Sequence, residues 1–329
     1  MIGLIGANGK IGSEIISALK KLLPNTEIKH GCRRPNESAT GIWQAVDISD
    51  KNSLKSFIEN CELLINASGS VPAFIPNIPL IELGNQEYCR KIKNPESHTL
   101  LYGCGSVPGV IGMIPRFLAE ETGTVNHIRM DYLINEPLSM TAALDMTESY
   151  SLPSSKKIGV SKNITESVPF IGDSVYRYHF SDDESRGINK ILNVTDSEWA
   201  MIRETDDLER ILSAPFKSRQ ELAERLYTFS RVQRQGLENS IQFLTELQGE
   251  KKTITCFAKS ASPSALSGKV CASVAAAVIQ GNIDKEVSLL SLCKGWKAVW
   301  SLFALTNPFD LWAVYPCRMT EIIEEEGEL

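Results

Sequence analysis

The first 23 residues join an apolar run to an amphipathic run through a turn rich in glycine. Met1–Ile5 reads as a strand, and Ile11–Leu23 has the periodicity of a helix. The glycines have the spacing G-x-x-G-x-x-G and are Gly6, Gly9 and Gly12. In a strand–turn–helix of this kind the first glycine permits the tight turn, the second lets the backbone approach a pyrophosphate, and the third lets the helix pack closely on the strand. The pattern predicts a nucleotide-binding first unit.

The segment after the next predicted strand indicates which nucleotide binds. Thr26–Cys32 reads as this strand, and Arg33 and Arg34 follow it directly. NAD-binding versions carry an Asp or Glu about 20 residues past the glycines, which accepts the ribose 2′-hydroxyl. Cys32 stands near that position here, and the two guanidinium groups would pair with a 2′-phosphate. NADP(H) is therefore favoured over NAD(H); the alternative is that both arginines form a solvated loop pair.

Strands and helices continue to alternate up to about residue 123. Gly41–Val46, Cys61–Ala67 and His98–Gly103 read as strands, and Ser49–Asn60 reads as a helix capped by Ser49 or Asp50. This alternation predicts an α/β fold, a Rossmann-type doubly wound parallel sheet. Asp47, after the third strand, is predicted to accept a hydrogen bond from the adenine amino group.

From Val125 the pattern changes to alternating apolar and polar residues, which suits a strand with one solvated face. Arg219–Gln235 reads as a helix, Thr253–Ala258 as a strand, and residues 264–281 as a helix of small residues. We therefore predict a dinucleotide-binding domain over residues 1–123 and a second α+β domain with a mixed sheet over residues 124–285. Residues 286–329 are predicted to pack back on the first domain.

The composition is that of a soluble globular protein, with 43% hydrophobic and 22% charged residues. Its 34 basic and 40 acidic side chains form no basic stripe, so no nucleic-acid partner is expected. The most apolar late stretch, residues 296–314, is interrupted by Lys297, Pro308 and Asp310, so no membrane span is expected. The absence of a targeting segment before the first strand predicts a cytoplasmic protein. The eight cysteines and four histidines lack metal-ligand spacing, so no metal site is expected.

Several segments together resemble the saccharopine dehydrogenase-like oxidoreductases. They are GANGKIG at residues 6–12, NASGS at 66–70, LGNQEY at 83–88, YGCGSVPGVIGMIPRFLA at 102–119 and VIQGNI at 278–283. The match covers most of residues 1–120 and scattered points afterwards. The resemblance implies a Rossmann domain followed by a mixed-sheet domain that supplies substrate contacts and often a dimer contact. It also implies hydride exchange between NAD(P) and a C–N bond.

One position departs from that family's pattern. An acidic residue usually stands two positions after the aromatic residue, whereas here Tyr88 is followed by Cys89 and Arg90. A positive group near the substrate mouth could hold a carboxylate, or it could point to solvent.

Cys104 and Tyr102 are candidates for proton transfer in the first domain. Cys104 lies in a glycine-flanked turn at the end of a strand and before a helix N-terminus, which predicts a lowered thiol pKa. The alternative is that Cys104 is a small buried hydrophobe. Tyr102 and Tyr88 are further phenolic donors, with packing as the alternative for each.

His179 is the candidate in the second domain, because imidazole is a common general acid and base. Alternation along a strand puts Tyr176 and Tyr178 on one face and Arg177 and His179 on the other. A polar-faced strand without catalytic duty is the alternative.

These patterns define the predicted site and function. The predicted cofactor-contacting residues are Gly6, Asn8, Gly9, Lys10, Ile11, Gly12, Arg33, Arg34, Asp47, Ala67, Ser68, Gly69 and Gly103. The leading hypothesis is an NADPH-dependent oxidoreductase, acting as a homodimer, that reduces a C=N or C=O bond of a small metabolite. The alternative is a non-catalytic NADP(H)-binding sensor or assembly protein on the same fold.

Overall fold

A computed structural model describes residues 1–35, 41–84, 87–90, 92, 94–151, 165–205, 208, 210–211, 214–233 and 238–326. The chain forms two compact units. The first unit comprises Met1–Met113 and Ser264–Pro308, and the second comprises Ile114–Pro263 and Phe309–Leu329.

Strands and helices have the following bounds. The strands are β1 Ile2–Ile5, β2 Ile28–Cys32, β3 Ile42–Ala45, β4 Leu63–Asn66, β5 Leu80–Glu82, β6 Leu100–Tyr102, β7 Val125–Asn135, β8 Thr165–Val168, β9 Gly172–His179, β10 Asp196–Arg203, β11 Ser240–Gly249, β12 Thr253–Ser260, β13 Val287–Leu289 and β14 Leu311–Tyr315. The α-helices are α1 Lys10–Leu22, α2 Lys51–Ile58, α3 Glu87–Arg90, α4 Val110–Thr122, α5 Met140–Ser151, α6 Asp183–Ile191, α7 Arg219–Gln233, α8 Pro263–Ile279, α9 Trp296–Ala304 and α10 Met319–Glu326. Short 3₁₀ turns cover Pro95–Ser97 and Leu290–Leu292.

In the described part of the first unit, seven strands form one sheet in the order β13-β6-β5-β4-β1-β2-β3. Every pairing in this sheet is parallel. The chain runs from β1 through β2 to β3 on one side and then continues with β4 on the other, so the strand order reverses between β1 and β4. Ligands bind at such switch points, outside the carboxyl ends of the strands. The predicted Rossmann-type parallel sheet is confirmed.

Helix α2 shows how the local sequence builds this unit. Asp50 accepts a hydrogen bond from the Ser53 backbone N–H at 2.7 Å, so Asp50 is the N-cap of the helix. Leu54 and Phe57, three residues apart, are fully buried and pack in the core cluster that also contains Leu64. The predicted Asp50 cap is confirmed.

The described part of the second unit contains a sheet in the order β14-β12-β11-β7-β10-β9-β8. β7 and β10 pair in parallel, and the other pairings are antiparallel. Met201 of β10 packs with Ala143 of α5 and Leu222 of α7, while its neighbour Ile202 packs in a separate cluster. Because adjacent strand residues point to opposite faces, α5 and α7 cover one face of β10. The predicted mixed sheet is confirmed.

The observed division replaces the predicted domain boundaries at 123/124 and 285/286. Helix α8 belongs to the first unit, and a Cβ added at Gly268 would lie 2.4 Å from the Glu14 Cβ, so α8 packs directly on α1. β13 extends the first sheet beside β6, whereas β14 pairs with β12 and carries residues from Phe309 onward into the second unit. A helix that is apolar on all sides has no preferred face in its sequence, so its periodicity could not assign it to either unit.

None of the described helices has the length and apolarity needed to span a bilayer. The cytoplasmic location, the homodimer and the lack of a nucleic-acid partner stay predictions.

Candidate functional site

The glycine turn joins β1 to α1 through two close backbone approaches. Gly6 has φ +88°, and a Cβ there would lie 2.7 Å from the carbonyl carbon and oxygen of Ala67. A Cβ at Gly12 would lie 2.2 Å from the Gly6 carbonyl oxygen. Only glycine fits these two positions without moving the backbone. The first and third glycines therefore have the structural roles that the sequence predicts.

Gly9 stands at the N-cap of α1, and its surroundings differ from those of the other two glycines. A Cβ there would meet the Gly6 carbonyl oxygen at 3.1 Å and, apart from the adjacent residues of the chain, no other described atom within 4 Å. No acidic side chain lies in the first helical turn. Open space in front of a helix N-terminus, with its N–H groups and partial positive charge, fits a phosphate group. The residues present thus fit the pyrophosphate of a dinucleotide.

Asn8 connects this turn to the end of β2. Its Nδ2 donates to the Cys32 Sγ at 3.1 Å and to the Arg34 carbonyl oxygen at 3.3 Å. Arg33 and Arg34 are exposed. The Asn8 side chain thus holds the backbone of the arginine pair next to the glycine turn, where a ribose bound at this edge of the sheet would lie.

Asp47 lies near the same pair. Hydrogen bonds from the Ser49 hydroxyl and backbone N–H lower the pKa of the Asp47 carboxyl, and the positive charge of Arg33 lowers it further. The two bonds from Ser49 reach Asp47 Oδ1 at 2.6 and 3.0 Å. These two hydrogen bonds stabilise the loop that follows β3. The contact of Asp47 with adenine stays a prediction.

A buried hydrogen-bond network occupies the carboxyl ends of β4 and β5. Asn66 Oδ1 accepts from the Ser68 N–H at 3.1 Å and from the Ser68 hydroxyl at 2.6 Å. Asn66 Nδ2 donates to the Ser70 carbonyl oxygen at 2.8 Å and to Glu82 Oε2 at 3.0 Å. The Tyr88 hydroxyl also donates to Glu82 Oε2. We call Asn66, Ser68, Glu82 and Tyr88 the Glu82 network; it holds the loop that contains the predicted cofactor residues Ala67, Ser68 and Gly69.

The network keeps its tyrosine protonated. Burial, together with the negative charge of Glu82, raises the pKa of the Tyr88 hydroxyl far above its usual range. Asn66 and Glu82 are each only 1% exposed. Tyr88 therefore acts as a fixed hydrogen-bond donor to Glu82.

The predicted lowering of the Cys104 pKa is wrong. Cys104 is completely buried, and burial raises its pKa well above the usual value, with further contributions from Cys271 and Cys293. Its backbone N–H donates to the Glu82 carbonyl oxygen at 3.1 Å. Loss of water around a thiolate outweighs the helix N-terminus that follows, so Cys104 is an interior residue and not an exposed proton donor.

Tyr102 is the last residue of β6, and Gly103 follows it directly. The Gly103 N–H donates to the Gly84 carbonyl oxygen at 2.9 Å, which ties this turn to the loop after β5. Tyr102 is partly buried and packs against the core cluster of the first unit. Their contacts with cofactor and substrate stay predictions.

His179 belongs to the second unit. It is partly buried at the end of β9, where Tyr176 and Tyr178 pack in one apolar cluster and Arg177 faces carboxylates. The predicted alternation of faces is confirmed. Arg177 pairs with the fully buried Asp131 at 2.8 Å and with Glu198 at 3.0 Å, so its guanidinium is engaged inside the protein.

Sequence reasoning missed Glu82 and the role of Asn66. Glu82 ends the run Ile78–Glu82, in which it is the sole charged residue. A carboxylate at the end of a short apolar run was the available signal, because charged residues are almost never fully buried unless they are paired. Part of the LGNQEY segment, residues 85 and 86, lies outside the described residues.

Within the described ranges, no group of three or more His, Cys, Asp or Glu side chains is arranged to hold a metal ion.

Comparison with known proteins finds distant structural likenesses. The parallel sheet, its switch point and the glycine turn define a Rossmann-type fold. The chain is similar to an engineered D-amino acid dehydrogenase, with 12% identity over 91% of this chain and 95% of that chain and a TM-score of 0.45. It is similar to C. glutamicum DAP dehydrogenase in complex with DAP, with 10% identity over 88% and 92% and a TM-score of 0.40. It is also similar to the WlbA (WbpB) dehydrogenase from Thermus thermophilus in complex with NAD and UDP-GlcNAcA, with 10% identity over 92% and 94% and a TM-score of 0.40.

No family model and no curated protein matches the chain. Likenesses to solved structures at this distance assign neither an activity nor a substrate.

Proposed function

We propose that the first unit binds NADP(H) and that the protein is an NADPH-dependent oxidoreductase, which reduces a C=N or C=O bond of a small metabolite. The observation that carries this proposal is the glycine turn with open space in front of Gly9 and with Arg33 and Arg34 held beside it. An exposed pair of guanidinium groups at the end of β2 is the chemistry that a 2′-phosphate requires.

In this proposal, different segments of the first unit bind different groups of the cofactor. The turn Gly6–Gly12 holds the pyrophosphate, and Arg33 with Arg34 holds the 2′-phosphate. The loop Ala67–Gly69, anchored by the Glu82 network, and Gly103 line the nicotinamide end. NADPH supplies the hydride, and the protein contributes the position of the substrate carbon and the handling of one proton.

Replacing Arg33 and Arg34 together with alanine should weaken NADPH binding by at least about 30-fold, since hydrogen bonds to charged groups contribute roughly 1.5–3 kcal/mol. NADH binding, which lacks the 2′-phosphate contact, should change by less than about threefold. Titration calorimetry with both dinucleotides measures this difference. Lys20→Ala with Lys21→Ala, two exposed cations at the far end of α1, is the matched control. Equal losses for NADPH and NADH would contradict the 2′-phosphate assignment.

The competing proposal is a non-catalytic NADP(H)-binding sensor or assembly protein. The burial of Cys104, with its raised pKa, favours this alternative, because it removes one proton donor from the surface of the first unit. Oxidation of NADPH in the presence of a panel of imines, oxo acids and amino acids decides between the two. Turnover of a panel member supports the oxidoreductase; tight NADPH binding without turnover favours the sensor. The saccharopine dehydrogenase-like relationship stays a prediction.

A further inference from the structure

Backbone hydrogen bonds fix β2 next to the glycine turn as far as Cys32. The N–H groups of Gly6 and Ala7 donate to the Gly31 carbonyl oxygen at 2.9 and 3.2 Å. The Val46 N–H donates to the Cys32 carbonyl oxygen at 3.0 Å. β2 ends at Cys32, and the arginine pair comes directly after it. The position of the two guanidinium groups therefore depends on contacts outside the sheet.

The side chain of Asn8 provides such a contact from within the glycine turn. A backbone carbonyl can only accept a hydrogen bond, so the Asn8 atom that lies 3.3 Å from the Arg34 carbonyl oxygen is the amide nitrogen. The same nitrogen also donates to the Cys32 Sγ at 3.1 Å, and the two bonds use both of its hydrogens. Asn8 thus ties the turn to the end of β2 and to the loop that follows.

The arginine pair needs this support because both side chains are long and exposed. An exposed arginine loses side-chain entropy when it pairs with a ligand, and a backbone that is already held in place reduces the ordering that binding requires. A bidentate contact between guanidinium and phosphate also depends on the direction of the guanidinium. Loss of the Asn8 side chain would therefore weaken the contact with a 2′-phosphate. The backbone bonds of Gly6 and Ala7 to Gly31 would remain.

We propose that Asn8 is a positioning residue that sets the preference for NADPH over NADH. It acts through Arg33 and Arg34, because its amide holds the start of their loop beside the glycine turn. This inference rests on the proposed binding of NADP(H) to the first unit. It adds that the preference for NADPH is a joint property of the arginine pair and of a residue 26 positions from Arg34 in the chain.

A double-mutant cycle between Asn8 and the arginine pair tests the proposal, with calorimetric Kd values for NADPH and NADH as the readout. Asn8→Ala should weaken NADPH binding about fivefold and change NADH binding by less than about twofold. In a protein that already carries Arg33→Ala and Arg34→Ala, Asn8→Ala should change NADPH binding by less than about twofold. Asn25→Ala, at an exposed asparagine between α1 and β2, is the matched control and should keep the preference for NADPH.

The outcomes separate this proposal from the proposed function. A wild-type protein that does not prefer NADPH would overturn the NADP(H) assignment and this proposal with it. A preference that survives Asn8→Ala would overturn this proposal alone. An equal loss for both dinucleotides, or an equally large loss of NADPH affinity in the protein without the two arginines, would do the same. If Asn8→Ala does not fold, Asn8→Leu keeps the branched shape without a donor, and an unchanged preference in that variant would overturn the proposal.

Discussion

Replacing Gly12 with alanine is expected to destabilise the first unit and to abolish dinucleotide binding. The new Cβ would lie 2.2 Å from the Gly6 carbonyl oxygen and 2.9 Å from the Ala7 Cα, and both are backbone atoms that cannot rotate away. Helix α1 would have to move off the turn that follows β1. Overpacking in a tight site costs roughly 1–3 kcal/mol and sometimes more, so we expect about 3 kcal/mol and at least about a 100-fold loss of NADPH affinity. Denaturant unfolding and calorimetry measure the two effects.

Gly9→Ala separates binding from stability in the same turn. Its Cβ would meet only the Gly6 carbonyl oxygen, at 3.1 Å, among the described atoms within 4 Å, so the loss of stability should stay within about 1 kcal/mol. NADPH affinity should still fall, because the methyl group would stand where the backbone approaches the pyrophosphate. Gly172→Ala in the second unit, where a Cβ would be 3.3 Å from Val175 Cγ1, should leave NADPH affinity unchanged and is the control for binding. A Gly12→Ala protein with wild-type stability and affinity would refute the role of the turn.

Replacing Glu82 with alanine is expected to have the second large effect. The change leaves Asn66 Nδ2 without one acceptor and the Tyr88 hydroxyl without the partner it has in the Glu82 network. Each unsatisfied buried group costs roughly 1–3 kcal/mol, so we expect a loss of about 4 kcal/mol in the free energy of unfolding. NADPH affinity should fall too, because Asn66 anchors the loop at Ser68.

Glu82→Gln is the matched control for this prediction. Glutamine keeps the shape of the side chain and offers one carbonyl oxygen to the same two donors. We therefore expect a loss of about 1 kcal/mol and a smaller change in NADPH affinity. Equal destabilisation by both substitutions would contradict the hydrogen-bond explanation and would indicate that the negative charge itself is needed.

Local elements of the first unit could be predicted from the sequence because their signals lie within a few residues. The apolar run before Gly6 became β1, and the amphipathic run after it became α1. Asp50 is the N-cap of α2, as its residue type and its position before the helix predict. β5 was not predicted, because its three residues are too few to show a period.

The glycine turn of the candidate site could be predicted from the sequence. The protonation states and hydrogen-bond partners of the buried side chains could not. The pKa of Cys104 depends on its complete burial, and the sequence around the thiol indicated only a glycine-flanked turn before a helix. The partners of Arg177 are residues of β7 and β10, which lie far from it in the chain. The Glu82 network likewise joins two strands that only the sheet brings side by side.

The sequence by itself determined the glycine turn, the arginine pair after β2 and the alternation that builds a parallel sheet, because each depends on backbone conformation and spacing within one segment. Only the tertiary structure decided that α8 packs on α1 and that Glu82 meets Asn66 and Tyr88. Those outcomes depend on which distant segments become neighbours and on how much water is removed between them. Removal of water sets the cost of a buried charge or thiol, and no local pattern of residues encodes it.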